Sequence, residues 1–158
     1  MKKWLYFVGT FIILLDRVTK IIVMNLIELG ESITVIPNYL YITYIKNDGA
    51  AWGMFSGNTI FLLFMTLITL IILLKVINEM DIKFINVLSY GLLIGGIIGN
   101  LIDRIIYGSV IDFIDTYIFT YDYPVFNVSD MAIVIGTSLL IIEILKGGGL
   151  KDEKVNSR

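Results

Sequence analysis

Apolar residues run through this chain in four long blocks, at about 3–24, 59–77, 84–102 and 128–145, and each block is bounded by polar or charged residues. A bilayer core needs about 20 mostly apolar residues per helix, so each block has the length of a membrane-spanning helix. The second is the cleanest, with no charge in "TIFLLFMTLITLIILLKVI" until Lys75. The third carries Gly91, Gly95 and Gly99 at four-residue intervals, a small-residue stripe that lets helices approach closely. Between the blocks lie two longer segments, about 25–58 and 103–127, and one short connection, "NEMDIK". The first long segment holds "ITVIPNYLYITYIKN", rich in β-branched residues and tyrosine around a Pro-Asn pair, which predicts two short strands about a turn. Tyr39, Tyr41 and Thr43 are expected on one face of that ribbon, and Leu40, Ile42 and Tyr44 on the other. The pattern as a whole predicts an all-α membrane protein: four transmembrane helices with a small extracytoplasmic β-sheet lying on the membrane surface, in one domain over 1–158.

The composition agrees: 57% of the 158 residues are hydrophobic and the mean hydropathy is +0.86. The start "MKKWLYFVGTFIILL" has the charged head and apolar run of a signal peptide, but "DRVTK" follows in place of a small-residue cleavage site, so an uncleaved first span is expected. Of the twelve Lys and Arg residues, Lys2, Lys3, Lys75, Lys83, Lys146, Lys151, Lys154 and Arg158 fall on one side of the four-span arrangement. Arg17, Lys20, Lys46 and Arg104 fall toward the other. Basic residues concentrate on the cytoplasmic side, so both termini are expected there and the two long segments outside. The tail "KGGGLKDEKVNSR" is expected to be mobile. A net charge of −2 without a basic stripe gives no footprint for nucleic acid.

There is no Cys and no His. This removes thiolate nucleophiles and imidazole, the commonest general base. The chemistry left belongs to Asp, Glu, Ser, Thr, Lys, Tyr and Arg. Ionisable residues are costly inside spans and tend to be functional there, and here they gather at the outer ends. Asp16 and Lys20 share a helix face around Thr19; Asn100, Asp103 and Arg104 follow one another at the end of the third block; Asn127 and Asp130 open the fourth; Asn47 and Asp48 precede "GAAWG". Each has a plainer reading. Asp16–Lys20 is equally an interfacial ion pair, Asn127 a helix cap, Arg104 a headgroup anchor or a partner for Asp16 or Asp103. Trp4 and Trp52 are simplest as interface anchors, Glu143 as a snorkelling acid near the inner end, and Asp48, Asp115 and Asp122 as solvated loop acids. The convergence of the rest at one depth is what points to a site.

Two carboxylates held close can share one proton, so that one activates water while the other donates. Asp112 and Asp115 are poorly placed for this, because residues three apart on a strand face opposite ways. Asp112 and Asp130, 18 residues apart, are joined by a segment long enough to oppose them. A serine–lysine pair is less favoured, since Ser109 and Ser129 have no lysine nearby in sequence. A proton-coupled transporter would spread its charges across the membrane depth, and a scaffold subunit would leave the convergence unexplained.

Five blocks, "DRVTK" at 16–20, "NDGAAWG" at 47–53, "GGIIGNLIDR" at 95–104, "GSVIDFI" at 108–114 and "PVFNVSD" at 124–130, stand in one order across nearly the whole chain. In these the chain resembles the lipoprotein (type II) signal peptidases. Ser129 departs from the family, which more often has Ala there. The resemblance implies an aspartic endopeptidase of the bacterial cytoplasmic membrane that cuts prolipoproteins on the N-terminal side of a diacylglyceryl-modified cysteine. It implies Asp112 and Asp130 as the catalytic pair. It implies Asp16, Lys20, Asn47, Gly49, Asn100, Asp103, Arg104 and Asn127 as residues that line and brace the site. It further implies no metal or cofactor, inhibition by the cyclic peptide globomycin, and a four-helix bundle whose sheet cradle comes from residues 33–46. Contact with membrane lipid and a monomeric chain are also expected.

Overall fold

The computed structural model describes residues 2–79, 82–119 and 121–146. The tail and part of the "NEMDIK" connection lie outside them. The elements in chain order are α1 (Lys2–Leu26), β1 (Ser32–Ile36), β2 (Leu40–Asn47), a short 3-10 turn (Ala51–Gly53), α2 (Thr59–Val76), α3 (Phe84–Tyr107), β3 (Val110–Ile118), β4 (Tyr121–Phe126) and α4 (Val128–Leu145). α2, α3 and α4 are each long and apolar enough to cross a membrane. α1 is longer still, but its second half carries Asp16, Arg17 and Lys20. Asp16 and Lys20 are completely buried, so these charges face the protein.

α3 is the central helix. Its glycines are the close-approach points: a Cβ at Gly95 would meet the carbonyl of Gly9 and Ile12 of α1, and one at Gly96 would meet the carbonyl of Ser129 and Ile133 of α4. The four-residue stripe Gly91, Gly95 and Gly99 faces Val8, Gly9, Ile12 and Asp16 of α1. One apolar cluster, Leu5, Val87, Tyr90 and Ile94, joins α1 to α3 and is flanked by Leu70, Leu73 and Val76 of α2. The lipid-type residues lie outside: Phe11, Leu14, Val18 and Ile22 on α1, Ile60, Phe64 and Ile71 on α2, and Val134 and Ile141 on α4 are all exposed. Fully buried side chains, by contrast, include Lys20, Asp16, Asp103, Asp112 and Asn127. A soluble protein keeps such charges on its surface; this distribution is the reverse.

The sheet is larger than the 33–46 ribbon predicts. It is a four-stranded antiparallel meander, β1-β2-β3-β4, and half of it comes from a segment whose acids suggested a loop. The backbone at 110–118 is rich in β-branched and aromatic residues, and pairing with β2 satisfies its polar groups despite the two acids. β1 and β2 join at a tight turn in which Tyr39 N–H donates to the Ile36 carbonyl at 3.1 Å. Pro37 supplies its first central residue and Asn38, at φ 67°, its second, the arrangement a type II turn requires. Ile42 and Tyr44 pack with Val23 of α1, with Ile27 just beyond its end, and with Ile111 and Phe113 of β3. Thr43 turns the other way, toward Ser32 and Asp115, as the period-2 pattern expects. α3 also continues past residue 102 to Tyr107, where Gly108 at φ 69° caps it by donating to the Arg104 carbonyl. The left-handed conformation there suits glycine, and the chain then turns directly into β3.

Candidate active site

The site forms where the sheet meets α1, α3 and the start of α4. Asn127 is the N-cap of α4: its side-chain oxygen accepts from Asp130 N–H at 2.9 Å, and Asp130 Oδ2 accepts from Asn127 N–H at 3.2 Å. This reciprocal capping box holds Asp130 on the first turn. The Asn127 side chain is then free to use its amide nitrogen elsewhere, and it donates to Asp112 Oδ1 at 2.6 Å, to the Ile111 carbonyl at 3.3 Å and to Asn100 Oδ1 at 3.2 Å.

Each acid of the pair is held by two donors. Asp112, on β3 and 1% exposed, takes Asn127 on Oδ1 and Asn47 Nδ2 on Oδ2 at 2.9 Å. Asp130 takes Asn100 Nδ2 on Oδ1 at 2.7 Å and the Asn127 backbone on Oδ2. Burial, and after it the charge of Asp130, pushes the Asp112 carboxyl up to about 7, against the opposing pull of Asn47, Asn127 and Lys20. A carboxyl titrating there is populated in both protonation states near neutral pH, as general acid–base work needs.

Behind the pair lies a buried ionic frame. Lys20 Nζ contacts Asp16 Oδ2 at 2.8 Å, Asp103 Oδ2 at 2.6 Å and Asn100 Oδ1 at 3.2 Å. Asp16 Oδ1 accepts from Ser129 N–H at 3.0 Å, tying α1 to α4. Asp103 Oδ2 also accepts from Ile111 N–H at 3.1 Å. Gly49 N–H donates to Asn47 Oδ1 at 3.0 Å, and its carbonyl accepts from Arg104 at 3.4 Å. In front of the pair opens a cavity of about 710 Å³, lined among others by Asn47, Gly49, Trp52, Arg104, Tyr123 and Phe126.

All ten residues predicted for the site therefore meet in one place. Asp112 stands on β3. Two expectations are corrected. Asp115 is not solvated: it is buried and accepts from Thr43 Oγ1 at 2.6 Å. Arg104 does not hold Asp16 or Asp103 through any of these bonds; it donates to Gly49, and Asp103 is ion-paired to Arg17. Sequence reasoning missed Arg17, whose one signal was a charge inside the first apolar block. Among the remaining residues, Asp48 fixes its own turn through Ser56 and the Gly57 N–H. Trp52 donates its indole N–H to Tyr121 at 3.2 Å. Glu143 pairs with Lys83 at 3.5 Å.

Comparison with known proteins gives the arrangement a context. A family model described as "Signal peptidase (SPase) II" matches residues 8–146. Proteins named "Lipoprotein signal peptidase" from Staphylococcus aureus strains bovine RF122 / ET3-1 and JH9 are each 43% identical over 156 residues, which cover 94% of this chain and 96% of theirs. Two solved structures are similar in fold and sequence. Both are described as a bacterial membrane enzyme solved by the in meso method, one at 2.3 Å and the other at 1.9 Å. The first has a TM-score of 0.83 at 42% identity, covering 89% of this chain and 86% of its own. The second has a TM-score of 0.80 at 42% identity, covering 89% and 91%.

Proposed function

The chain belongs to the signal peptidase II family, an aspartic protease family that removes signal peptides from prolipoproteins, and from that premise we propose that it cleaves diacylglyceryl-modified prolipoproteins on the N-terminal side of the lipidated cysteine, with Asp112 and Asp130 activating water. The observation that carries the reading is the single Asn127 side chain that donates to Asp112 while it caps the helix turn bearing Asp130. It couples the two acids through one rigid group.

With one proton shared between the carboxyls, the ionised member takes a proton from water as the water oxygen attacks the scissile carbonyl carbon. The protonated member donates to the carbonyl oxygen, whose developing charge would otherwise be costly in a buried site. On collapse the C–N bond breaks, the leaving cysteine amine takes a proton from the carboxyl that collected it, and a hydroxyl of the tetrahedral intermediate returns its proton to the other carboxylate as the new C=O forms, which restores the shared proton. Asn47, Asn100 and Asn127 aim the carboxyls. Asp16, Lys20, Asp103, Arg104 and Gly49 brace the elements that carry them. These roles need no metal or other cofactor.

The reading places one integral-membrane peptidase domain over 1–158 in the bacterial cytoplasmic membrane. All four helices cross the bilayer, α1 included, because its charges are turned inward and its outward face is apolar. Both termini are then cytoplasmic, and the sheet and active site lie near the outer surface. There the acyl chains of the substrate stay in lipid while the scissile bond reaches water. The cavity between sheet and helices suits an extended peptide, and a globomycin-type cyclic peptide would compete for it. The enzyme would act as a monomer.

The test is cleavage of a lipidated precursor by the purified protein in detergent, with Asp112→Asn, Asp130→Asn and the double variant. Each single change should abolish turnover, and the double variant should be little worse because the pair acts as a unit. Near-normal turnover in either single variant sinks the two-aspartate mechanism.

A further inference from the structure

We infer that Arg17 is a positioning residue for this reaction: by fixing Asp103 it holds the N–H of Ile111, the residue that precedes Asp112. The inference rests on the two-aspartate reading above.

The chain of contacts is short and continuous. Arg17 on α1 is ion-paired through its guanidinium to Asp103 Oδ1, and its guanidinium carbon lies 6.0 Å from the centre of the Tyr107 ring, a distance at which a cation and a ring attract. The other Asp103 oxygen takes Lys20 and the N–H of Ile111. Ile111 is wholly buried, and its carbonyl accepts from Asn127. Both polar groups of residue 111 are thus held, one by Asp103 and one by Asn127, immediately before Asp112. Rigid placement of this kind is worth a great deal, since a displacement of about 1 Å can cost roughly 10²-fold in rate.

Charge makes Arg17 necessary as well as convenient. The buried and half-buried charged groups in and behind the pair, among the described residues, are Asp16, Arg17 and Lys20 from α1, Asp103 and Arg104 from α3, Asp112 from β3 and Asp130 from α4; Tyr44 of β2 and Tyr107 of α3 border them. On the open side the cavity is also lined by the solvent-exposed Lys46 of β2, Asp48, and Asp122 of β4, and by Tyr123 of β4. Within the buried set three cations stand against four carboxyls, and neutrality is reached when the catalytic pair keeps one proton. Without Arg17, Lys20 alone must serve both Asp16 and Asp103. The cluster is then one charge more negative, ionisation of the pair becomes harder, and every proton on it leaves at higher pH. A lysine at 17 keeps the charge but lacks the planar fork and stacks less well on a ring.

The experiment compares the full-length wild type with Arg17→Gln, Arg17→Lys and Asp112→Asn in detergent, measuring kcat, KM, pH–rate profile and melting temperature with a lipidated precursor peptide. Arg17→Gln should lower kcat by up to about 10²-fold with KM little changed, and its whole pH profile should move to higher pH. Arg17→Lys should show a smaller loss of kcat with the profile at the wild-type pH. Should Arg17→Gln be too unstable to purify, the loss in Arg17→Lys carries the test alone, and wild-type kcat in that variant overturns the inference. A lowered melting temperature with an unmoved profile in Arg17→Gln reduces Arg17 to a structural residue and also overturns it. Cleavage by Asp112→Asn would defeat the two-aspartate reading itself. An inactive Asp112→Asn beside an unaffected Arg17→Gln would defeat this inference only.

Discussion

Asn127 donates to Asp112 at 2.6 Å while its side-chain oxygen accepts the backbone N–H of Asp130. One side chain therefore does two jobs, and they can be separated. Serine is also a good N-cap, but it cannot reach Asp112 as the longer amide does. Asn127→Ser should keep the cap and so lose less melting temperature than Asn127→Ala, while lowering kcat by about 10²-fold or less. Asn127→Ala should lose both, with about 1 kcal/mol of stability gone from the cap. Thermal melts and precursor cleavage measured side by side check this. Normal kcat in Asn127→Ser would show that the bridge to Asp112 is idle.

The buried Asp112 should also leave a mark on stability. Its carboxyl is pushed from the ordinary 3.8 up to about 7, so between those values the folded chain holds a proton that the unfolded chain has released. Stability from this group is complete below about pH 4, falls as pH rises toward 7, and is level above that. The slope is at most about 1.4 kcal/mol per pH unit. Asp112→Asn removes the ionisation. One of its amide groups must face a donor from Asn47 or Asn127, which adds a pH-independent cost. Relative to wild type the variant should therefore gain melting temperature between pH 4.5 and 7 and run parallel above. A difference that stays constant across that range would contradict the assignment.

Much of this was legible in the sequence because the membrane makes polar residues conspicuous. Asp16, Lys20, Asn100 and Asp103 stand out against apolar runs, and there is little for them to do there except meet one another. The small-residue stripe of α3 was readable for the same reason. The second half of the sheet was not. β3 carries Asp112 and Asp115, and alternation is blurred where β2, β4 and β1 each break register. The burial of Asp115 was hidden because it depends on Thr43, 72 residues away in sequence. Arg17 was hidden likewise: its meaning comes from Asp103, 86 residues on.

Asp115 should prove stabilising and not catalytic. It shares β3 with Asp112, but its carboxylate is used by Thr43, which in turn bonds Ser32 at 2.8 Å. That small network stitches β1, β2 and β3. Asp115→Ala should cost about 1 kcal/mol and leave kcat per folded enzyme close to wild type, in contrast to Asp112→Asn. A complete loss of cleavage in a well-folded Asp115→Ala would place it in the reaction.

The last expectation concerns helix packing beneath the site. A Cβ at Gly99 would run into Ser129 Oγ and stand 2.9 Å from Asp16 Oδ2. A Cβ at Gly96 would meet the Ser129 carbonyl instead. Overpacking of this kind costs about 1–3 kcal/mol. The two sites differ in what can give way: at Gly99 the nearest obstacle is a hydroxyl that a substitution removes, whereas at Gly96 it is backbone. Ser129→Ala should therefore recover part of the stability lost in Gly99→Ala and none of that lost in Gly96→Ala. Because Asp16 is held by Lys20 and by the Ser129 N–H, the rescue should be incomplete, and activity should lag behind melting temperature in the double variant. A double-mutant cycle on melting temperature and kcat measures both. Strict additivity of Gly99→Ala and Ser129→Ala would mean that α3 and α4 separate to absorb the extra methyl, and that the close approach at this level is not what holds Asp130 in place.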